Sequence, residues 1–484
     1  MNGSPKEVAA TAPRAENAEL VRRFRRVLDA AGYAPGETRR LLGETIIESW
    51  ELPLHLRRLP GEGVLPTLFR LFLLGAPVSV AAAENAVAPL SADDLVALGM
   101  VRVEDELVEP LVRIVIHNDI LIASDGEATY LAPHEHVSGV SLSSRTCLAL
   151  THRAQVARAL DVGAGCGVQA IVAASNADKV VATDVNRRAL AFAAFNAALN
   201  GISEIETRTG SLLEPVAGER FGLVMCNAPY VISPEDRFAF RDAGMSGDGV
   251  SELLVRDVPE LLEDGGTATL VLSWLSDEDD WAARPRSWIE GAGCDAWVVG
   301  GPTLDPLDHA AKWTNFIARD QEAFGEALDE WAGYIQGLGA SHVTEGVVIL
   351  RKRSSGTPWF RADRLPRGAP KAAAGQLARV FAVRDALESG SPLLDLTPTL
   401  TDAARITETV APREGGPQTL DLRLSLADGL LFETAIDPAY ATALLSLDGT
   451  TSLGDALAAH GIDPAGAEPF LRELALTGFL DVRG

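Results

Sequence analysis

The chain has 484 residues, 47% of them hydrophobic, and Lys+Arg 42 against Asp+Glu 67 gives a net charge of −25 at pH 7. That length accommodates roughly two to four packed domains, and the acidic balance excludes a surface built as a whole to coat nucleic acid, though not a local basic face. The scattered Cys147, Cys166, Cys226 and Cys294 form no Cys-x-x-Cys pair, so neither a disulfide framework nor a zinc site is expected, and a cytoplasmic location fits.

In chain order, residues 1–19 are Ala/Glu/Arg-rich, carry no apolar core of the kind a signal peptide needs, and read as a disordered lead-in. Residues 20–125 form a first domain. Helical spacing over 20–31, 45–56, 66–74 and 91–98 is followed by two short alternating strands around an acidic turn at 104–106, a winged-helix-like pattern. The carboxylates on that wing favour a protein contact over DNA. The most apolar stretch, 65–90, is interrupted by Arg70 and Glu84, so no membrane span is expected. A strand-like segment, 108–124, turns near Asp119 and leads to His134 and His136, which lack a third ligand at recognisable spacing; no metal site is expected. A helix is predicted over 143–160.

Residues 160–230 are the organising stretch. The apolar run ending at Asp161-Val162 breaks into Gly163-Ala164-Gly165-Cys166-Gly167 and then a helix former, the way a parallel α/β sheet brings backbone close to a nucleoside. A dinucleotide fingerprint wants its third glycine at the sixth place, which here is Val168, so NAD and FAD are disfavoured. The next strand ends at Asp184, about 20 residues past the first glycine, where an acid can accept both ribose hydroxyls. An alanine-rich helix over 186–200 closes at Asn200-Gly201, a strand over 204–209 ends at Gly210-Ser211, and a further strand ends in Asn227-Ala228-Pro229-Tyr230.

At these residues the chain resembles the class I S-adenosylmethionine-dependent methyltransferases. Asn227-Ala228-Pro229-Tyr230 is similar to the Asn-Pro-Pro-Tyr signature of their HemK-like and "small" members, which act on planar nitrogens; it departs from that signature at Ala228. The resemblance implies an α/β, Rossmann-like seven-stranded sheet over 126–353, with a helical insertion at 302–341. It implies S-adenosylmethionine held by Asp161, Gly163, Ala164, Gly165, Gly167, Asp184, Val185, Ser211, Leu212 and Asn227. Many relatives carry an acid where this chain has Ser211. Asn227, Ala228, Pro229 and Tyr230 would present the acceptor: a side-chain carbonyl and a backbone carbonyl accept the two N–H groups of a planar nitrogen, and a ring covers it.

Beyond Tyr230, residues 233–250 read either as a mobile substrate-facing lid or as a long loop with Asp248 as N-cap. Strands are predicted over 266–274, 294–300 and 343–351, and an aromatic-rich helical insertion over 308–337. Residues 351–371 hold seven cations against Asp363 alone, with Trp359 and Phe360 among them; this is either an RNA contact or a linker packed on the acidic body, placed as a basic linker at 354–378. Residues 379–484 form a C-terminal domain with strands at 419–426 and 430–435, helices at 440–447, 452–460 and 467–477, and a strand at 479–482. It loosely resembles PqqD-type, winged-helix-like peptide-recognition modules. The expected function is methylation of a planar nitrogen, first a glutamine-type amide in a protein or peptide, alternatively an exocyclic amine of an RNA base. A non-catalytic binding protein on the same scaffold is the third reading.

Overall fold

A computed structural model describes residues 12–43, 51–59, 61, 63–126, 135–203, 205–227, 229–234, 245–314, 320–365, 370–413 and 416–482. Its centre is a mixed sheet of eight strands: β1 (Val156–Val162), β2 (Ala177–Asp184), β3 (Ile205–Thr209), β4 (Phe221–Asn227), β5 (Leu262–Ser276), β6 (Cys294–Leu304), β7 (His342–Lys352) and β8 (Phe360–Arg364). The spatial order is β8-β6-β7-β5-β4-β1-β2-β3. Strands β1 to β5 run parallel, while β7 is antiparallel to both β5 and β6. The order reverses at β1, which pairs with β2 on one side and β4 on the other. In an open α/β sheet that switch point opens a crevice at the carboxyl ends of the strands.

The sheet has eight strands where seven were expected, and the additional one, β8, lies inside the stretch read as a linker. It pairs in parallel with β6 and buries Phe360 and Ala362 partly against the core. Composition misled here because β8 spends its charge within the fold: Arg361 pairs with Asp363 and, at 2.7 Å, with Glu473 of the C-terminal region. The helix predicted to run into β1 stops earlier, as α1 (Leu142–Leu150). Thr151 turns its hydroxyl back to Cys147 O at 2.7 Å, and the chain re-enters the sheet at Val156.

The two faces of the sheet are closed differently. One face, with Leu160, Val224, Leu270 and Trp274, packs on helices that include Gly249–Asp257 and Ala283–Ile289. The other, with Ala159, Trp297 and Ile349, is covered by a helix that composition did not reveal, Ala374–Glu388, through Leu377, Val380 and Phe381. The long antiparallel hairpin of the C-terminal region, Ala404–Arg413 with Gly416–Leu426, contains a strand missed in the sequence. Its first arm alternates apolar and polar residues only weakly before Pro412. Helices Pro438–Leu445, Leu453–Ala459 and Pro464–Leu476 then build a small core of their own around Leu444, Leu457, Leu471 and Phe479.

The N-terminal region carries helices Ala18–Ala31, Pro35–Leu42, Leu52–Arg58, Val64–Leu68, Val80–Val87 and Ala92–Ala97. A three-stranded sheet of Val78–Ser79, Leu107–Pro110 and Val101–Glu104 follows in that spatial order. This region is not independent of the central sheet. Phe24, Phe72 and Leu95 share one continuous core with Val168, Ile171, Phe192 and Phe195 from α2 (Val168–Ala173) and α3 (Arg187–Leu199).

Two asparagines splice the regions together. The hairpin Val112–His117 with Ile120–Asp125 leaves the backbone of Leu121 and Ala123 open on its outer edge. Asn196 takes Ala123 N–H and returns an N–H to Ala123 O, both at 2.8 Å, and Asn200 does the same for Leu121 at 3.1 and 2.8 Å. Residues four apart on a helix and two apart on a strand are both about 6 Å apart, so the amides act as a replacement strand partner. Asn196 Nδ2 also donates to Cys166 O in the glycine turn, at 2.9 Å. Asn196→Ala, which orphans three buried backbone groups, is expected to lower stability by about 2–4 kcal/mol. Urea unfolding with an unchanged m-value checks it.

Candidate active site

Register places the pieces. Val162 on β1 pairs with Thr183 on β2 and with Cys226 on β4, so the next residues, Gly163, Asp184 and Asn227, leave the sheet side by side at one level. All three glycines of the turn have left-handed backbones, with φ of 69°, 54° and 80° at Gly163, Gly165 and Gly167. A Cβ on Gly167 would lie 2.7 Å from that of Ala193, so this glycine permits α3 to approach. A Cβ on Gly165 would meet nothing within 4 Å, because that side faces the open crevice.

The two acids do different work. Asp184 Oδ2 accepts the Gly165 N–H at 2.9 Å and Oδ1 accepts the Asn186 N–H at 2.8 Å, which fixes the carboxylate plane beside the glycine turn. Burial raises its pKa, and the backbone N–H groups of Asn186, Gly165 and Val185 oppose that rise. Next to it, Val185 is 54% exposed, an apolar platform at a strand tip of the kind that carries a flat base.

Asp161 is fully buried. Its Oδ2 accepts Ala170 N–H at 3.0 Å, and Oδ1 has no hydrogen-bond partner among the described residues. Burial pushes its pKa up to about 7, opposed by the Ala170 N–H and reinforced by Asp184. For an acid with a raised folded pKa, stability is intact below the unfolded value near 4 and declines as pH rises toward 7. Asp161→Asn keeps the bond to Ala170 and removes the titration, so its melting temperature relative to wild type should climb across that window and level off above it. The gain is a few kcal/mol, at about 1.4 kcal/mol per pKa unit, and parallel thermal melts from pH 4 to 8 check it.

On the acceptor side, Asn227 Nδ2 donates to Ser144 Oγ on α1 at 3.2 Å. Tyr230 is half-buried between the apolar cluster that includes Ala164 and Val271 and a second cluster of Val231, Ala310 and Trp331. Its backbone carbonyl accepts the Ser273 hydroxyl. Burial raises the Tyr230 phenol to about 12, and a hydrogen bond from Ser143 works against that rise. Pro229 is half-buried in the same turn. The wall beside Tyr230 comes from the predicted insertion, which is two helices, Pro306–Thr314 and Gln321–Gly337. His309 Nε2 meets Ile232 O at 2.9 Å, and Tyr334 accepts Gly247 N–H at 2.8 Å.

Past β3, Gly210 N–H is held by Asp184 O at 3.1 Å, and Leu212 adopts a left-handed backbone, φ 46°, that turns the chain back beside the crevice. Ser211 is exposed there. Ala228 and His134, together with 235–244 of the expected lid, lie outside the described residues. Asp248 does not cap its helix with its side chain. It accepts Leu275 N–H at 3.0 Å and pairs with Arg284 at 2.6 Å, locking the loop exit to β5.

The ingredients fit S-adenosylmethionine: a fixed carboxylate for a ribose, an exposed apolar platform for a base, a glycine face without obstruction, and the orphaned Asp161 oxygen. Among the described residues no cluster of three or more His, Cys, Asp or Glu side chains could hold a metal, and no helix is long and apolar enough to cross a membrane. His136 is buried with its pKa lowered to about 4, chiefly by burial.

The cationic run is spent within the fold. Arg351 meets Asp295 and Asp385 at 2.7 Å each, Arg353 meets Asp295 at 3.1 Å and also Glu388, and Lys352 lies 3.8 Å from Glu260. Arg364 donates to Gly301 O at 3.1 Å. The reading of 351–371 as an RNA face required free cations, and most of the described ones are paired.

Comparison with known proteins agrees with this geometry. Residues 142–276 match the family described as "Methyltransferase small domain", and 30–111 match a domain of unknown function. The chain is 33% identical over 163 residues to the release factor glutamine methyltransferase of Xylella fastidiosa, covering 31% of this chain and 56% of that protein. It is 32% identical over 176 residues to the ribosomal protein uL3 glutamine methyltransferase of Bradyrhizobium diazoefficiens, covering 30% and 54%. Against the ribosomal protein L11 methyltransferase of Rhodopseudomonas palustris it is 32% identical over 212 residues, covering 41% and 66%. The chain thus spans about half the length of the first two relatives.

Proposed function

From a chain whose residues 142–276 are a class I small methyltransferase domain, we propose an enzyme that transfers the methyl group of S-adenosylmethionine to a planar nitrogen, the side-chain amide of a glutamine in a protein or peptide. The observation that carries this is the common level at which Gly163, Asp184 and Asn227 leave the sheet. In this reading Asp184 receives the ribose hydroxyls, Val185 and Leu212 flank the base, Ser211 offers its hydroxyl or backbone to the base edge, and Gly163 to Gly167 with Ala164 line the crevice. Asp161 acts from beneath the turn, where it accepts Ala170 N–H.

The cofactor supplies an electrophilic methyl on a sulfonium. The chain's part is positioning. An amide nitrogen is a poor nucleophile because its lone pair is delocalised, so Asn227 Oδ1 and the Ala228 carbonyl take its two N–H groups and turn the lone pair outward, while Tyr230 covers the amide plane. Bound in the crevice, S-adenosylmethionine would supply the methyl group, and the N–H held by the Asn227 and Ala228 carbonyls would release its proton to solvent. An alanine in place of the usual proline keeps that backbone carbonyl.

The names of the relatives support a glutamine acceptor, and the acidic surface, net charge −25, supports a protein rather than a polyanion as substrate. No observation favours the RNA-base reading over this one. We read the chain as a methyltransferase unit that begins at 126 and extends past 353 to include β8 and the helix Ala374–Glu388, between winged-helix-like units at 20–125 and in the remainder of the C-terminal region, the outer two serving protein recognition, in a cytoplasmic setting. The test is labelled methyl transfer into an extract of cells lacking this gene, divided between protease and nuclease treatment. Label lost to protease and recovered as N5-methylglutamine supports the proposal; label lost to nuclease contradicts it.

A further inference from the structure

Between Asn227 and Tyr230 lies a chain of hydroxyls contributed by one turn of α1. Asn227 Nδ2 donates to Ser144 Oγ at 3.2 Å; Ser144 Oγ lies 3.0 Å from Ser141 Oγ; Ser141 Oγ lies 2.8 Å from Ser143 Oγ; and Ser143 is the side chain that opposes the burial-driven rise of the Tyr230 phenol. Ser141 is also the N-cap of α1 and accepts Ser144 N–H at 3.1 Å, so the centre of the chain is anchored to backbone. Ser144 is 5% exposed, which keeps water from substituting for it.

We propose that Ser144, backed by Ser141 and Ser143, is a positioning residue that fixes the amide of Asn227 with its carbonyl toward the acceptor nitrogen and couples that orientation to Tyr230. This rests on the function proposed above. Asn227 donates to Ser144, and Ser141 Oγ already accepts Ser144 N–H; a serine hydroxyl has one proton and two lone pairs, so an arrangement in which Ser144 donates to Ser141, Ser141 to Ser143 and Ser143 to Tyr230 satisfies every hydroxyl. Asn227 Oδ1 is then left as the acceptor, and the Tyr230 O–H is free to donate elsewhere. In the reverse direction Ser144 would donate to Oδ1, and Asn227 would turn its NH2 toward the two N–H groups of the acceptor amide, a donor against donors. A freely rotating Asn227 amide presents the wrong atom part of the time; the serine chain removes that state.

The experiment compares the full-length wild type with Ser144→Ala and Ser144→Thr, using methyl-labelled cofactor with the cell extract above and calorimetric titration of S-adenosylhomocysteine. Ser144→Ala is expected to lower the transfer rate at saturating cofactor about 10- to 100-fold, with cofactor affinity within twofold of wild type, and Ser144→Thr, which keeps the hydroxyl, to recover most of it. A second readout needs no substrate: in 15N spectra the Asn227 side-chain amide should show one hydrogen-bonded proton that shifts in Ser144→Ala and in Tyr230→Phe. Equal turnover of wild type and Ser144→Ala overturns the inference, as does an Asn227 amide signal unmoved by Ser144→Ala. An inert wild type instead sinks the proposed function, and the amide signal still decides whether the serine chain orients Asn227.

Discussion

Asn227→Ala is expected to abolish methyl transfer while leaving cofactor affinity within about twofold. The side chain sits at the tip of β4 and, among the described residues, hydrogen-bonds Ser144 alone, so its removal leaves sheet, glycine turn and Asp184 in place. What it removes is the acceptor that orients the substrate nitrogen and polarises its N–H. Deleting one such preorganised group costs about 10²–10³ in turnover. The loss should fall on kcat rather than on KM, since the bond matters most when nitrogen is giving up its lone pair. Single-turnover rates together with calorimetric Kd values separate the two; a variant that keeps wild-type kcat would remove Asn227 from the reaction.

Asp184→Ala has the complementary effect. Its two oxygens are already aligned by Gly165 and Asn186, so a ribose diol meets a carboxylate that needs no further ordering. Two charge-assisted hydrogen bonds at about 1.5–3 kcal/mol each correspond to a loss of about 100-fold or more in affinity. Asp184→Asn, which keeps one oxygen, should fall between. Because burial raises the pKa of Asp184, affinity should weaken as pH falls through that raised value and hold above it, and the Ala variant should lose that dependence. Titrations of S-adenosylhomocysteine across pH with both proteins check this.

The parts of the site legible in the sequence are those where chemistry and backbone geometry coincide. Gly163, Gly165 and Gly167 announce themselves because left-handed backbone and close approach both exclude side chains, and Asp184 because it ends an apolar strand at the distance a ribose requires. Asn227 was legible as the end of another strand. The positioning groups were not. Ser141, Ser143 and Ser144 read as an ordinary helix start, and nothing local says that their hydroxyls meet residues more than 80 positions away. Asn196 and Asn200 were hidden in an alanine-rich helix; two amides four apart on one buried face were the available signal. Charge misled at 351–371, because pairing with Asp295, Asp385, Glu388 and Glu473 is a tertiary fact. For the same reason β8, which completes the sheet, falls inside the stretch read as linker at 354–378, while the helix Ala374–Glu388, which covers the second face, straddles that linker and the expected C-terminal domain.

The most direct measurement is a structure of the protein with S-adenosylhomocysteine. The account requires the ribose hydroxyls on Asp184, the base against Val185, and the sulfur in front of Asn227 Oδ1 with Nδ2 turned to Ser144. A ligand seated elsewhere on the sheet, or an Asn227 amide pointing away from the sulfur, would contradict it.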